Sequence, residues 1–211
     1  MSPETTIDRM MLVYALSRVP SLGRVQMQKC MFKAALDTRG TSSSPSMRFI
    51  RYTHGPFTKD LYEHVGSLQT ADLVTCGQDF DFTQFTALTD RGRALARWTN
   101  EVLSDVPGWD EARQALDEAA SFVNPKSASF LENWSHEIVL APEGTADPVR
   151  IHDMPNGTII MAPRDRADWA PLSVPEEILI DFEIACLYSD EDVQHFKMRA
   201  AAGTLEELLA V

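Results

Sequence analysis

The sequence predicts an α+β fold that is mainly helical. Two observations carry this prediction: apolar residues recur at helical spacing in several segments, and short apolar segments bounded by glycine, proline or polar turns are typical of strands. With 211 residues, 44% of them hydrophobic, the chain can bury a substantial core. No apolar run approaches the ~18 residues that span a bilayer, and the first six residues lack the features of a signal peptide. We therefore expect a soluble, cytoplasmic protein.

Capping residues and helical periodicity place the elements of the first half. Thr5 or Thr6 can cap the first helix, and Pro20, Ser21 and Gly23 separate it from the second. In chain order we predict a helix from about Ile7 to Arg18, a helix from Arg24 to Asp37, a strand over 47–52, a turn over 53–58, a helix over 59–69, strands over 73–76 and 80–88, a helix capped by Thr89 and a helix opened by Pro107.

The turn before the third helix carries specific packing signals. Thr58 is a good N-cap, and Phe57 can pack on Tyr62 as a hydrophobic staple. The helix that follows is expected to bury Leu61, Val65 and Leu68.

We predict a domain boundary over 124–126, where the second half begins. We predict two domains, 1–124 and an acidic extension over 125–211 that packs on the first. The extension is expected to contain, in order, a helix with Ser129 and Glu132 as capping box, a hairpin over 149–161 around Pro155-Asn156-Gly157, a helix with Ser173 and Glu176 as capping box, and two helices from Asp190 to Ala202 and from Thr204 to Leu209. The segment Ile178 to Ile184 is compatible with helix or strand.

The order of elements in residues 1–124 is that of a winged helix: helix, helix, short strand, helix, two-stranded wing, helix. The segment from Phe85 to Leu95 resembles the junction between a wing and the next helix. There Leu88 enters the core, Thr89 satisfies free helix amides, and Gly92 permits close packing.

Two segments also resemble a bacterial protein group. The helix Val25–Phe32, with Gln28-Lys29 at its centre, and the segment Tyr52–Tyr62, with its His54-Gly55-Pro56 turn, are similar to the SocA-like (Panacea) antitoxin domain and the YwgA-like proteins. Matching pieces lie between about residues 8 and 96, and Met27 and Cys30 stand where leucines are usual. The resemblance implies a protein-binding role, often as the neutralising half of a toxin–antitoxin pair or as an adaptor that presents the toxin to a protease.

Charge favours a protein partner over DNA. The net charge is -12, made up of +3 in residues 1–100 and -15 in residues 101–211. The third helix has Lys59 as its one basic residue, and the wing over 75–87 has no lysine or arginine, so both would repel phosphates. Two alternatives stay open: a DNA-binding regulator that uses Lys29, Lys33 and Arg51, and an acidic half that mimics nucleic acid.

We predict no enzymatic activity, no cofactor and no metal. The five histidines lack zinc-ligand spacing, and we find no nucleophile elbow and no glycine-rich phosphate loop. His54 is interpreted as a turn residue that bonds backbone, although it could approach His64 across the third helix. Cys30, Cys76 and Cys186 are expected to be buried and unpaired. The candidate partner-binding residues are His54, Lys59, Tyr62 and Trp169.

Overall fold

The computed structural model describes residues 2–78 and 84–188. Within these ranges it is an α+β fold of seven helices and three small antiparallel sheets. The elements are, in chain order, α1 (Pro3–Ser17), β1 (Leu22–Gly23), α2 (Arg24–Asp37), β2 (Phe49–Tyr52), β3 (Gly55–Phe57), α3 (Asp60–Thr70), β4 (Val74–Gln78), β5 (Gln84–Leu88), α4 (Asp90–Val102), α5 (Trp109–Val123), α6 (Ala128–Glu137), β6 (Val139–Leu140), β7 (Val149–Arg150), β8 (Ile159–Met161) and α7 (Glu176–Leu187). The predicted start of the wing strand at Phe80 and the two helices predicted after Asp190 lie outside the described residues.

Helix α1 forms the centre of the molecule. All its residues from Thr6 to Leu16 are buried, as expected for a helix that other elements surround on every side. It begins at Pro3 because the Ser2 hydroxyl accepts a hydrogen bond from the Thr5 amide and proline is well tolerated in a first helical turn. The predicted start at Ile7, capped by Thr5 or Thr6, was therefore too late in the chain.

Two buried charged side chains of α1, Asp8 and Arg9, bind residues of other segments. The Asp8 carboxylate accepts hydrogen bonds from the backbone amide and the hydroxyl of Ser46, at 2.7 and 2.6 Å. Arg9 forms an ion pair with Glu183 of α7. Removing one member of a buried pair leaves an uncompensated charge, so the Arg9–Glu183 pair fixes how α7 lies against α1.

The first sheet has the strand order β1-β5-β4, with Leu22 opposite Thr86 and Val74 opposite Leu88. The predicted burial of Leu88, cap at Thr89 and close packing at Gly92 are confirmed. The Thr89 hydroxyl accepts a hydrogen bond from the Gly92 amide at 3.0 Å. A Cβ atom on Gly92 would lie 1.9 Å from the Leu73 carbonyl oxygen, so only glycine allows this contact.

The second sheet, β3-β2-β8, joins the two halves of the chain. The predicted hairpin over 149–161 is wrong. The turn at Pro155 forms, with the Thr158 amide donating to the Pro155 carbonyl at 3.2 Å. The strands on its two sides pair elsewhere, β7 with β6 and β8 with β2, because distant strands offer them partners.

Both predicted capping boxes of the second half are also wrong. Helix α6 is capped by Ser127, whose hydroxyl accepts from the Phe130 amide, and not by Ser129. Helix α7 begins after Pro175 with no side-chain cap, so Ser173 does not cap it. The segment over 178–184 is helical, as part of α7.

Burial separates the three cysteines. Cys30 and Cys186 are buried as predicted, but Cys76, in the middle of β4, is exposed. One buried cluster contains side chains from both sides of residue 124, among them Trp109, Leu131 and Phe182. Among the described residues, no helix is both long enough and apolar enough to cross a membrane.

Candidate interaction surfaces

The two segments that carry the family resemblance contact each other through buried side chains. The Gln28 amide nitrogen donates to the Thr58 carbonyl at 2.8 Å, and its oxygen accepts from the Thr58 amide at 2.9 Å. Both residues are buried. A buried backbone group without a partner costs about 1–3 kcal/mol, so Gln28 supplies hydrogen bonds that this part of the turn needs.

Lys29 binds the same segment two and four residues before Thr58. Its Nζ atom donates to the carbonyl oxygens of His54 and Pro56, at 2.5 and 3.0 Å, and only 2% of the residue is exposed. Burial lowers the pKa of Lys29 to about 8, with the Glu132 carboxylate opposing the shift and Arg51 adding to it. The prediction that Lys29 contacts DNA is corrected: its ammonium group lies inside the protein.

Gly55 lets this turn fit between α2 and α6. Its φ is +86°, a conformation that favours glycine. A Cβ atom there would lie 2.5 Å from the Ser135 hydroxyl and 3.0 Å from the Lys29 Nζ atom. Only part of the predicted turn over 53–58 is a turn, because Gly55–Phe57 forms strand β3 and pairs with β2. The role of this Gly-Pro segment is architectural.

His54 and His64 lie in different surroundings. The exposed His54 ring lies beside α6, with Nδ1 3.1 Å from a carboxylate oxygen of Glu132. The His54 backbone carbonyl, rather than its ring, bonds to the core. His64 is buried, with Nε2 3.9 Å from the Asp8 carboxylate.

An aromatic row lies over the turn on the surface. The ring centroids of Tyr52 and Phe57 are 5.3 Å apart, and those of Phe57 and Tyr62 are 5.8 Å apart, which confirms the predicted Phe57–Tyr62 contact. Thr58 is not the N-cap as predicted, because α3 begins after Lys59 and has no side-chain cap. Tyr52 is 51% exposed. The Arg24 guanidinium lies over the Tyr62 ring at 5.0 Å, a cation–π distance.

Arg24 borders three neighbouring cavities. One, of about 140 Å³, lies beneath the aromatic row; the second, of about 440 Å³, runs between α3 and the first sheet; the third, of about 540 Å³, lies between the start of α2 and the start of α6. We call these three cavities together the Arg24 groove. No aspartate or glutamate is among the described residues that line it.

A second surface lies on α7. Four large apolar side chains are exposed at helical spacing along its outer side and at its end: Ile180, Ile184, Leu187 and Tyr188, at 50%, 38%, 69% and 40%. We call these four residues the α7 stripe. Glu176, Glu177 and Asp181 are exposed on the same helix, so the stripe has acidic neighbours.

The remaining predicted site residues are dispersed. Lys33 pairs with Asp37 at 2.7 Å, and Arg51 donates to the Ile151 carbonyl and the Asn156 side chain at 3.2 and 2.9 Å, so both support local structure instead of forming an open basic patch with Lys29. Lys59 is exposed just before α3.

Trp169 is half-buried, and its Nε1 donates to the Thr41 carbonyl at 3.1 Å, so it is tied to the loop after α2 and is not a freely exposed anchor. Of the four candidate partner-binding residues, only His54 and Tyr62 line the Arg24 groove.

The α7 stripe was not predicted from the sequence to be functional. The stripe had a signal, because isoleucine, isoleucine and leucine at 180, 184 and 187 share one side of a helix. That spacing is informative only if the segment from Ile178 to Ile184 is helical, and the sequence was compatible with helix or strand there. The position of Arg24 at three cavities had no signal in the sequence, because it depends on distant elements.

No family model, no curated protein and no solved structure matches the chain.

Proposed function

We propose that the chain is a non-enzymatic interaction protein, similar to SocA-like antitoxins, that binds and neutralises a partner toxin or delivers it to a protease. The observation that carries the proposal is the α7 stripe. Contiguous exposed apolar surface is rare on proteins without partners and marks interaction sites. Three exposed apolar residues of one short helix, two of them isoleucines one turn apart, and Tyr188 directly after it fit that description.

The charge around the stripe indicates the partner's chemistry. Residues 101–211 carry a net charge of -15, and the exposed carboxylates of Glu176, Glu177 and Asp181 are on α7 itself. Complementary charge speeds association and selects partners. The expected partner therefore presents an apolar patch surrounded by lysine or arginine.

The contact between the two resemblance segments supports the antitoxin interpretation. Gln28 and Lys29 on one side, and the turn from His54 to Thr58 on the other, form one hydrogen-bonded unit. A family pattern made of residues that bind each other is more specific than two unconnected matches. The strand order β1-β5-β4, with β1 between the first two helices, supports the winged-helix-like core that the proposal includes.

The proposal is tested by purifying the tagged chain from its native host beside two variants. In the first, Ile180→Ser and Ile184→Ser remove the centre of the stripe; in the control, Val139→Ser and Val149→Ser remove two apolar side chains exposed elsewhere. We expect a stoichiometric protein with the wild type and the control but not with the stripe variant. That protein should be toxic when expressed alone and harmless beside the wild type. Equal capture by all three chains would contradict the stripe's role.

A second candidate is a DNA-binding regulator, which the strand order of the first sheet favours. Three observations count against it. Helix α3 contains no lysine or arginine, Lys29 is buried, and Arg51 is engaged by Ile151 and Asn156. Binding to its own promoter that weakens steeply with salt and is lost in Lys33→Ala would favour this candidate.

A further inference from the structure

The Arg24 groove has an unusual electrostatic character for this protein. The whole chain has 31 acidic and 19 basic residues, yet none of the described residues that line the groove is acidic. Arg24 lies where its three cavities meet. Lys126 borders the cavity between α2 and α6. The lysine and arginine side chains among the described lining residues of the groove thus have no acidic neighbour in that set, whereas the chain as a whole is acidic.

The Arg24 guanidinium is positioned but has no ionic partner among the described residues. Tyr62 lies under it at 5.0 Å. Other arginines of the chain are paired with carboxylates: Arg18 with Asp117, Arg113 with Asp110 and Arg166 with Asp168. A guanidinium held on an aromatic ring with its N–H groups free is suited to bind a carboxylate through two hydrogen bonds.

The cavity beside Arg24 selects an apolar group. It is lined by Val25, Pro56 and the aromatic row, and its volume of about 140 Å³ is close to the ~150 Å³ of an engineered cavity that accepts benzene. One leucine, methionine or phenylalanine side chain has the right size for it.

The other two cavities of the groove also border Arg24 and extend the site beyond the small cavity. Gln69, Gln78 and Gln84 line the cavity between α3 and the first sheet. Their side-chain amides offer donors and acceptors to a peptide backbone. Three cavities that share Arg24 offer separate positions for successive residues of a peptide, which fits an extended chain better than a compact ligand.

From these observations we infer that the Arg24 groove binds an extended peptide segment of a partner protein, with a carboxylate on Arg24 and a neighbouring apolar side chain in the small cavity. This inference rests on the proposed function as an interaction protein and adds a second surface with the opposite charge preference to the α7 stripe. An adaptor that joins a toxin to a protease needs two such surfaces.

Nucleic acid fits the groove less well. Strong phosphate binding needs several surface cations, but Lys29, which also lines the groove, is buried. Arg24 and Lys126 are then the remaining lysine and arginine side chains among its described lining residues. DNA binding is nevertheless included as an outcome of the test.

The test uses the full chain and a display library of random twelve-residue peptides. Selection on the wild type should enrich peptides with aspartate or glutamate within two positions of leucine, methionine or phenylalanine. For the best peptide, Arg24→Gln should weaken binding about tenfold, and so should changing the peptide carboxylate to its amide. The two changes together should weaken binding by clearly less than the product of their separate effects, because they remove the same contact.

Arg97→Gln, an exposed arginine of α4, is the matched control and should bind like the wild type. Tyr62→Phe should retain binding, and Tyr62→Ala should weaken it; circular dichroism checks that each variant is folded. The inference is overturned by a library without carboxylate enrichment, by unchanged binding of Arg24→Gln, or by binding of a 20-base-pair duplex that Arg24→Gln abolishes. Synthetic peptides and purified protein are used, so the result does not depend on whether a toxin partner exists.

Discussion

Gln28 and Thr58 form a two-point hydrogen-bonded pair in which a side-chain amide replaces a backbone partner. The pair connects the middle of α2 to the turn that precedes α3. Together with the bonds from Lys29 to His54 and Pro56, it explains why the Gln-Lys pair and the His-Gly-Pro turn occur in one chain. Their role is to fix the turn, and the aromatic row lies on top of it.

Gln28→Leu should lower the free energy of unfolding by about 2–4 kcal/mol, because the amide and carbonyl of Thr58 would stay buried without partners. Urea unfolding followed by fluorescence measures this. Gln114→Leu is the control, since Gln114 is exposed and bonds only Glu118 one turn away; it should cost about 0.5 kcal/mol or less. Equal costs would contradict the role assigned to Gln28.

Gly55→Ala and Gly157→Ala separate backbone strain from crowding. Both glycines have a φ of +86°, so alanine costs roughly 1–2 kcal/mol at either position from strain. At Gly157 nothing lies within 4 Å of the new Cβ, whereas at Gly55 the Ser135 hydroxyl would lie 2.5 Å away. We expect Gly55→Ala to cost about 1–3 kcal/mol more in urea unfolding. Similar costs would mean that the turn is not tightly enclosed.

Lys29 makes stability depend on pH in the alkaline range. Unfolded lysine keeps its proton to about pH 10.4, while the folded pKa is about 8. Between these values the unfolded chain binds more protons, so stability contributed at Lys29 rises with pH. The unfolding free energy of the wild type minus that of Lys29→Met should therefore increase by on the order of 1–3 kcal/mol from pH 8 to 10.5.

A flat or falling difference would contradict the buried position of Lys29. If Lys29→Met does not fold, nuclear magnetic resonance titration of the Lys29 side chain in the wild type gives the same answer. A midpoint near the ordinary lysine value would then refute the assignment.

The cysteines should differ in reactivity towards an aromatic disulfide reagent. Burial raises the pKa values of Cys30 and Cys186 to about 12, and neither thiol is accessible, whereas Cys76 is exposed. One thiol should react quickly in the native protein, and the other two only after unfolding. Cys76→Ser should abolish the fast phase; a fast phase that persists in this variant would contradict the burial of the other two.

Several local signals in the sequence predicted the local structure correctly, although the predicted caps of α1, α6 and α7 were wrong. The bounds of α2 are confirmed, as are the Thr89 cap and the contact between Phe57 and Tyr62. Each depends on residues only a few positions apart, where capping, helical spacing and glycine geometry operate.

Long-range pairing could not be predicted in the same way. The turn at Gly157 forms as its sequence indicates, but β8 pairs with β2, with Ile50 opposite Ile159. Nothing in the turn specifies that partner. Lys29 was misassigned for a related reason: the carbonyls that bind it belong to a turn beyond the end of its own helix, and a lysine on a helix is usually solvated.

The most direct test of the account is growth rescue by co-expression with the partner found by affinity purification. We expect the wild type and Val139→Ser/Val149→Ser to restore growth. The stripe variant Ile180→Ser/Ile184→Ser should not restore growth, although its melting temperature is unchanged. Rescue by the stripe variant at equal protein levels would contradict the claim that the α7 stripe holds the partner.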